Sequence, residues 1–207
     1  MNASLPSFFA FEPAVDLVRL GRDYDGGYLV SQADISRSDI LLGLGINDDW
    51  SFETDFLAFN NVPVVAYDAS VNERKFLKRF VQYLPRINRW KTIWSRYKTY
   101  RSYRDFFVNG PNIHIQKFVG LNSKNPTYCT LEDILEETAS DDIFLKIDIE
   151  GSEYRLLTTL VNYASRITGL VIELHDCDLH LMKIEHFIKN FDLCLVHVHA
   201  NNFGPIR

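Results

Sequence analysis

Apolar residues recur along this chain in two registers: short runs that are continuous or alternate with polar residues, and longer stretches where they return every three or four positions. RLGRDYDGGYLV (19–30) sets Asp25, Gly26 and Gly27 between two β-prone pieces and predicts a hairpin within an N-terminal region 1–36. ILLGLG (40–45) and VPVVAYD (62–68) read as buried strands, with a helix expected from about Ser51 between them. NERKFLKRFVQYL (72–84) places Phe76, Leu77, Phe80, Val81 and Leu84 on one helical face, and Pro85 stops it. Trp90, Ile93, Trp94 and Tyr97 resume helical spacing before the loop at Asn109, Gly110 and Pro111, so a helical insertion is expected over about 85–110. NIHIQKFVGL (112–121), DIFLKIDI (142–149), RITGLVIELHD (166–176) and LCLVHVH (193–199) supply four more strands. TLEDILEE (130–137), SEYRLLTTLVNYA (152–164) and LHLMKIEHFIKNF (179–191) supply the intervening helices. Alternation of this kind predicts an α/β fold, a doubly wound and mostly parallel sheet in one domain over 1–207.

Composition agrees with a packed core: 46% of the 207 residues are hydrophobic and 14% aromatic. Cys129, Cys177 and Cys194 lie far apart in no CxxC spacing, which argues against a disulfide framework or a zinc knuckle. MNASLPSFFAFEP lacks a basic leader, and no run approaches the roughly 20 apolar residues a spanning helix needs, so a cytoplasmic protein is expected. Charge is unevenly spread, since residues 74–104 hold 11 of the 22 Lys and Arg and none of the 27 Asp and Glu.

An open α/β sheet binds ligands beyond the C-terminal ends of its strands, so the residues that end each strand are the candidates for chemistry. Gly43 and Gly45 end the first strand, and Asp68, placed to accept ribose hydroxyls, ends the second. Gly120 to Asn122 follow the third, Asp148 and Glu150 the fourth, Glu173, His175 and Asp176 the fifth, and His197 and His199 the sixth. Positions 43–48 read GLGIND, with no third glycine, and Asp48 and Asp49 would repel a pyrophosphate. A cationic sulfonium cofactor tolerates those acids.

TLEDILEE, a short spacer and IFLKIDIEGSEYRLL together resemble the FkbM-type methyltransferases. DGGY, GLGINDDWSFE, ELHD and HVHANNFG are similar to a subgroup associated with bacterial surface-glycan biosynthesis. The resemblance implies a Rossmann-like, class I methyltransferase fold, S-adenosylmethionine as cofactor, and O-methylation of a sugar or polyketide hydroxyl. A sugar of a surface polysaccharide, or its nucleotide-linked or lipid-linked precursor, is the expected acceptor. Two departures stand out. Leu41 and Leu42 precede Gly43 where such enzymes often carry an acid, which makes Asp25, Asn47 or Asp48 the candidates for the cofactor's amino acid end. The chain also stops at NNFGPIR, where the fold usually adds a seventh, antiparallel strand; a truncated C-terminal strand and a compact variant both remain open.

Gly43, Gly45, Asn47, Asp68, Asp25 and Asn122 are thus the expected cofactor contacts, with Asp148 and His175 acting on the acceptor hydroxyl. Strand alternation puts Glu173 and His175 on one face, and with Asp148 and His199 they form a candidate site for Mg²⁺ or Mn²⁺. Glu153, at a helix start, reads as structural, and Glu150 is undecided. The basic segment interleaves its cations with eight aromatic residues. Nucleic acid, anionic lipid at the inner face of a membrane, and an anionic sugar are competing partners, beside a plain solvated face. A glycan or glycolipid acceptor is preferred and nucleic acid disfavoured. A non-catalytic binding module and a metal-dependent hydrolase are the alternative functions.

Overall fold

A computed structural model describes residues 5–11, 14–23, 27–85, 87–120 and 124–199. An antiparallel hairpin, β1 (Leu17–Leu20) and β2 (Tyr28–Ser31), leads into α1 (Gln32–Arg37), β3 (Ile40–Leu44), α2 (Ser51–Phe59), β4 (Val64–Tyr67) and α3 (Glu73–Val81). Then come α4 (Trp90–Tyr103), a π-helical turn at Arg104–Val108, β5 (Ile113–Ile115), β6 (Phe118–Val119), β7 (Tyr128–Cys129) and α5 (Leu131–Glu137). The described chain closes with β8 (Ile143–Ile147), α6 (Leu157–Asn162), β9 (Ile167–Ile172) and α7 (Cys177–Asn190).

Five of these strands form one parallel sheet in the order β5-β4-β3-β8-β9. The chain winds outward from β3 in one direction, returns, and winds outward through β8 in the other. Strand order therefore reverses between β3 and β8, which is where such a sheet opens a crevice.

Alternation along the strands sorts side chains to two faces. Leu42, Leu44, Leu145 and Ile147 pack with Leu131, Ile134 and Leu135 of α5, Leu157 and Leu160 of α6, and Phe187 of α7. Leu41, Val64 and Phe144 face the other way, onto Leu20 and Val30 of the hairpin, Ile35 of α1, and Phe52 and Phe56 of α2. A third cluster joins Ile46, Trp50 and Ala66 to Phe76, Tyr103 and Phe107, and so anchors the basic helical segment to the sheet.

One ion pair is sealed within the second face. Gly43 and Lys146 are register partners on β3 and β8, and a Cβ on Gly43 would lie 2.9 Å from Glu53 Oε1. Glu53 fills that space, its Oε1 meeting Lys146 Nζ at 3.2 Å, with the carboxylate fully buried and the ammonium nearly so. Glu53 Oε2 has no protein hydrogen-bond partner, so Lys146 alone compensates a desolvated charge.

Local signals account for most elements. Thr130 Oγ1 accepts the Asp133 amide while Asp133 Oδ2 accepts the Thr130 amide, and this reciprocal cap starts α5 where TLEDILEE predicts it. α1 is an addition, capped by Ser31 Oγ on the Asp34 amide. Three expectations are corrected. The third strand is split, because Lys117 N turns back to Ile115 O and sends Phe118–Val119 to pair with β7. The helix over 152–164 is broken into 3-10 turns at Glu153–Arg155 and Ala164–Arg166 around a short α6. The sixth strand is absent among the described residues: 194–199 carry no ladder, since alternation supplies a face but not a neighbour. Residues 200–207, where a seventh strand was at issue, lie outside the described residues.

Lys146→Met is expected to destabilise the fold by about 3–5 kcal/mol in urea unfolding, because it strands Glu53 without a counter-charge. Glu53→Leu combined with Lys146→Met is expected to recover most of that loss. A double variant as unstable as the single would show that the pairing is not what holds this face.

Candidate functional site

The exits of β3, β4 and β8 converge on the point of strand reversal. Asp148 N donates to Leu44 O at 2.8 Å, extending the β3-β8 ladder by one bond, and Gly45 N donates to Tyr67 O at 2.9 Å. Gly45 has φ +83°, and a Cβ there would fall 1.7 Å from the Asp148 carbonyl oxygen. Only glycine permits two backbones to pass so closely. Asn47 follows in the left-handed region at φ 42°, where an asparagine is tolerated.

Asp68 ties this turn to β4. Its Oδ2 accepts the amides of Ile46 at 3.1 Å and Asn47 at 2.7 Å, and its Oδ1 accepts that of Ser70 at 2.6 Å. His114 on β5 supports the same corner, with Nε2 2.9 Å from Asp68 O and Nδ1 2.6 Å from Tyr103 Oη on α4. Burial holds the His114 pKa below the ordinary imidazole value, which keeps this bridge neutral.

Across the crevice, Asp148, Glu153 and His175 bring one ligand atom each within 4.8 Å of one another. Glu153 is fully buried, and its Oε1 accepts the amides of Ile149 and Gly151, both at 3.1 Å. The same oxygen meets His175 Nδ1 at 3.1 Å, and Glu150 Oε2 lies 3.6 Å from His175 Nε2. Burial, and next the charge of Glu173, push the Asp148 carboxyl up to about 6. Burial works against a charged His175, yet Glu153, Asp148, Glu173 and Glu150 together outweigh it and raise that pKa. The result is a carboxylate with raised basicity beside an imidazole that readily carries a proton.

Placement of the expected residues is mixed. Asp148 and His175 come together, and Gly45, Asn47 and Asp68 meet on the opposite wall. Gly43 serves packing, since Glu53 takes its space. Asp48 is engaged by Arg79 at 3.8 Å and Arg96 at 3.6 Å. Asp25 and Asn122 lie outside the described residues. Of the expected metal set, Asp148 and His175 lie in the close group together with fully buried Glu153, while Glu173 and His199 are not part of that group. Glu173 Oε2 accepts Tyr28 Oη at 3.0 Å, which ties the hairpin to the end of β9, and His199 is exposed in a segment without a ladder. Glu153 spends Oε1 on two amides and the His175 ring, while its Oε2 is buried without a protein hydrogen-bond partner, so one oxygen of this donor set is left unspent.

Sequence reading missed the part Glu153 plays in orienting His175, and the bridge made by His114. The first had a trace in the i to i+3 spacing of Glu150 and Glu153 around Gly151. The second had none, because Tyr103 and Asp68 approach His114 only through the fold. Two open clefts flank α4 as well: one of about 600 Å³ between α4 and α2, holding Trp94, Tyr97, Lys98 and Arg101, and one of about 400 Å³ where Ser95, Arg96 and Thr99 face Arg22 and Asp48.

A family model described as the methyltransferase FkbM domain matches residues 37–198, well over half of the chain and all five strands of the central sheet. No curated protein and no solved structure matches the chain.

Glu153→Gln is expected to lower the pKa of His175, since the largest charge holding it up is removed. Chemical shifts of the His175 ring followed through a pH titration check this, and an unchanged midpoint would refute the assigned contact.

Proposed function

Because the chain belongs to the FkbM methyltransferase family, we propose that it transfers a methyl group from S-adenosylmethionine to a hydroxyl oxygen of a sugar, within a surface polysaccharide or its activated precursor. The observation that carries this reading is Asp148, a carboxylate pushed up to about 6 at the point where the sheet's strand order reverses. A hydroxyl must shed its proton as it gains a methyl group, and a base whose pKa lies near the working pH does this best.

The wall formed by β3 and β4 fits the cofactor. Asp68 Oδ1 accepts one amide and keeps lone-pair capacity for ribose hydroxyls, while the Asn47 turn and the Gly45 backbone border the same space. Asp25 and Asn122 remain proposed contacts. When bound, S-adenosylmethionine supplies a methyl carbon made electrophilic by its sulfonium. Asp148 takes the acceptor's proton as the oxygen–methyl bond forms and the sulfur–methyl bond breaks, and it then releases that proton to water. Protonated His175 stabilises the Asp148 carboxylate, and Glu153 fixes the ring by its Nδ1.

Titration calorimetry with S-adenosylmethionine is expected to show binding to the intact protein and its loss in Asp68→Ala. No binding by intact protein would sink the reading, and phosphatase or esterase turnover with a divalent metal alone would replace it with a hydrolase. Asp148→Asn should lower kcat by about 10²–10⁴-fold while cofactor binding survives.

The pH dependence has a definite sign. Activity needs ionised Asp148, so it falls as pH drops through about 6. His175→Gln removes a charge that lowers the Asp148 pKa and should move this limb to higher pH. Glu173→Gln removes one that raises it and should move the limb to lower pH. Displacements of the same sign in both variants would exclude Asp148 as the titrating base.

A further inference from the structure

We propose that the antiparallel pair α3 and α4 forms a docking surface for a bilayer that carries anionic phospholipid, a property independent of methyl transfer. Exposed aliphatic residues on α3 fall at Leu77 (40% exposed), Val81 (48%) and, just past the helix, Leu84 (45%), one helical stripe turned to solvent. On α4 the exposed rings are Trp90 (64%) and Trp94 (53%), four residues apart. Phe80 and Tyr97 touch at 5.4 Å across the seam between the helices. Helical rotation places the Leu77 stripe and the Trp90 stripe on the same side of that seam, so the two make one apolar surface.

Cations frame that surface. Arg74 and Lys78 lie exposed beside the α3 stripe, and Lys91 and Lys98 beside the tryptophans. Lys91 Nζ stands 5.8 Å from the Trp90 ring and Lys98 Nζ 5.7 Å from that of Trp94. Inward-facing cations answer local acids instead: Arg79 and Arg96 meet Asp48, and Arg104 meets Glu73 at 3.0 Å. Among the described residues, Lys78, Lys91 and Lys98 pair with no carboxylate. Tryptophan at a water–hydrocarbon boundary, aliphatic side chains below it and lysines at headgroup level match the charge and polarity of an anionic lipid surface. A nucleic acid would use the cations and rings but would leave the Leu77, Val81 and Leu84 stripe in water.

The surface does not need a membrane-spanning segment, and no described helix is long and apolar enough to cross one. Its cations attract from a distance and its apolar stripe holds at contact.

Full-length protein should be mixed with vesicles of phosphatidylcholine alone, or of equal parts phosphatidylcholine and phosphatidylglycerol, and binding followed by sedimentation and tryptophan emission. Trp50 is buried at 6% exposure, so emission changes report on Trp90 and Trp94. Anionic vesicles should bind and shift emission to the blue, with at least tenfold weaker binding to phosphatidylcholine and weakening by salt. Lys91→Glu with Lys98→Glu should reduce affinity for anionic vesicles about tenfold or more, and Trp90→Ala with Trp94→Ala should abolish the blue shift while thermal unfolding stays near that of the parent. Absence of binding to anionic vesicles, equal binding to both compositions, or displacement of bound protein by duplex DNA would overturn the proposal.

Discussion

Strands β3 and β8 leave the sheet side by side, and at Gly45 they run so close that one added methyl group would fall 1.7 Å from the Asp148 carbonyl oxygen. Most of the candidate site follows from that approach. With the backbones locked by Asp148 N to Leu44 O, the next side chain of β8 must project at the crevice, and that side chain is Asp148. The chain after Gly45 must turn away, which it does through Asn47 at φ 42°, and the amides freed by the turn are taken by Asp68. Asp148 on one side and Asp68 on the other are thus set by one backbone constraint rather than by separate local choices.

Strain collects on the same edge. Among the described residues three non-glycine residues have positive φ, namely Asn47, Glu150 and Asp176, and they follow β3, β8 and β9 in turn. Asparagine and aspartate visit this region easily, but Glu150 is expected to cost about 1–2 kcal/mol there. Glu153 offsets the distortion by accepting the amides of Ile149 and Gly151 on either side of Glu150. One buried carboxylate therefore shapes the exit of β8 and also orients His175. Structural and chemical roles for Glu153 are not alternatives; the first produces the second.

Strand and helix alternation was legible because the central strands are compact apolar runs, some adjoining glycine or proline, such as β3 before Gly45 and β4 after Pro63, and the intervening helices carry apolar positions at helical spacing. The hairpin at β1 and β2, the cap at Thr130 and the helix start near Ser51 all had local causes. LCLVHVH misled because a period of two describes a side-chain pattern, whereas a strand exists only when a neighbour pairs with it. Site residues divided the same way. Asp68 and Asp148 were legible as candidates because strand ends point to them. Gly43 could not be told from Gly45 by sequence, since what separates them is that Glu53 occupies the space at one and the Asp148 backbone that at the other. His114 was hidden for the same reason.

The basic segment is bound more tightly to the site than its composition suggests. Tyr103 and Phe107 pack edge-on against Trp50 at 5.8 Å and 6.0 Å, so α4 is part of the core beneath its exposed rings. Arg79 and Arg96 neutralise Asp48 at the end of β3, which removes much of the negative charge that the GLGIND turn would otherwise set beside a cofactor. His114 then joins Tyr103 of α4 to the carbonyl of Asp68. A surface built on α3 and α4 consequently cannot shift without disturbing the turn that Asp68 holds. Whatever α4 touches from outside is placed at a fixed position relative to the turn that Asp68 holds, and the insertion links an external contact to the crevice through packing and two hydrogen bonds.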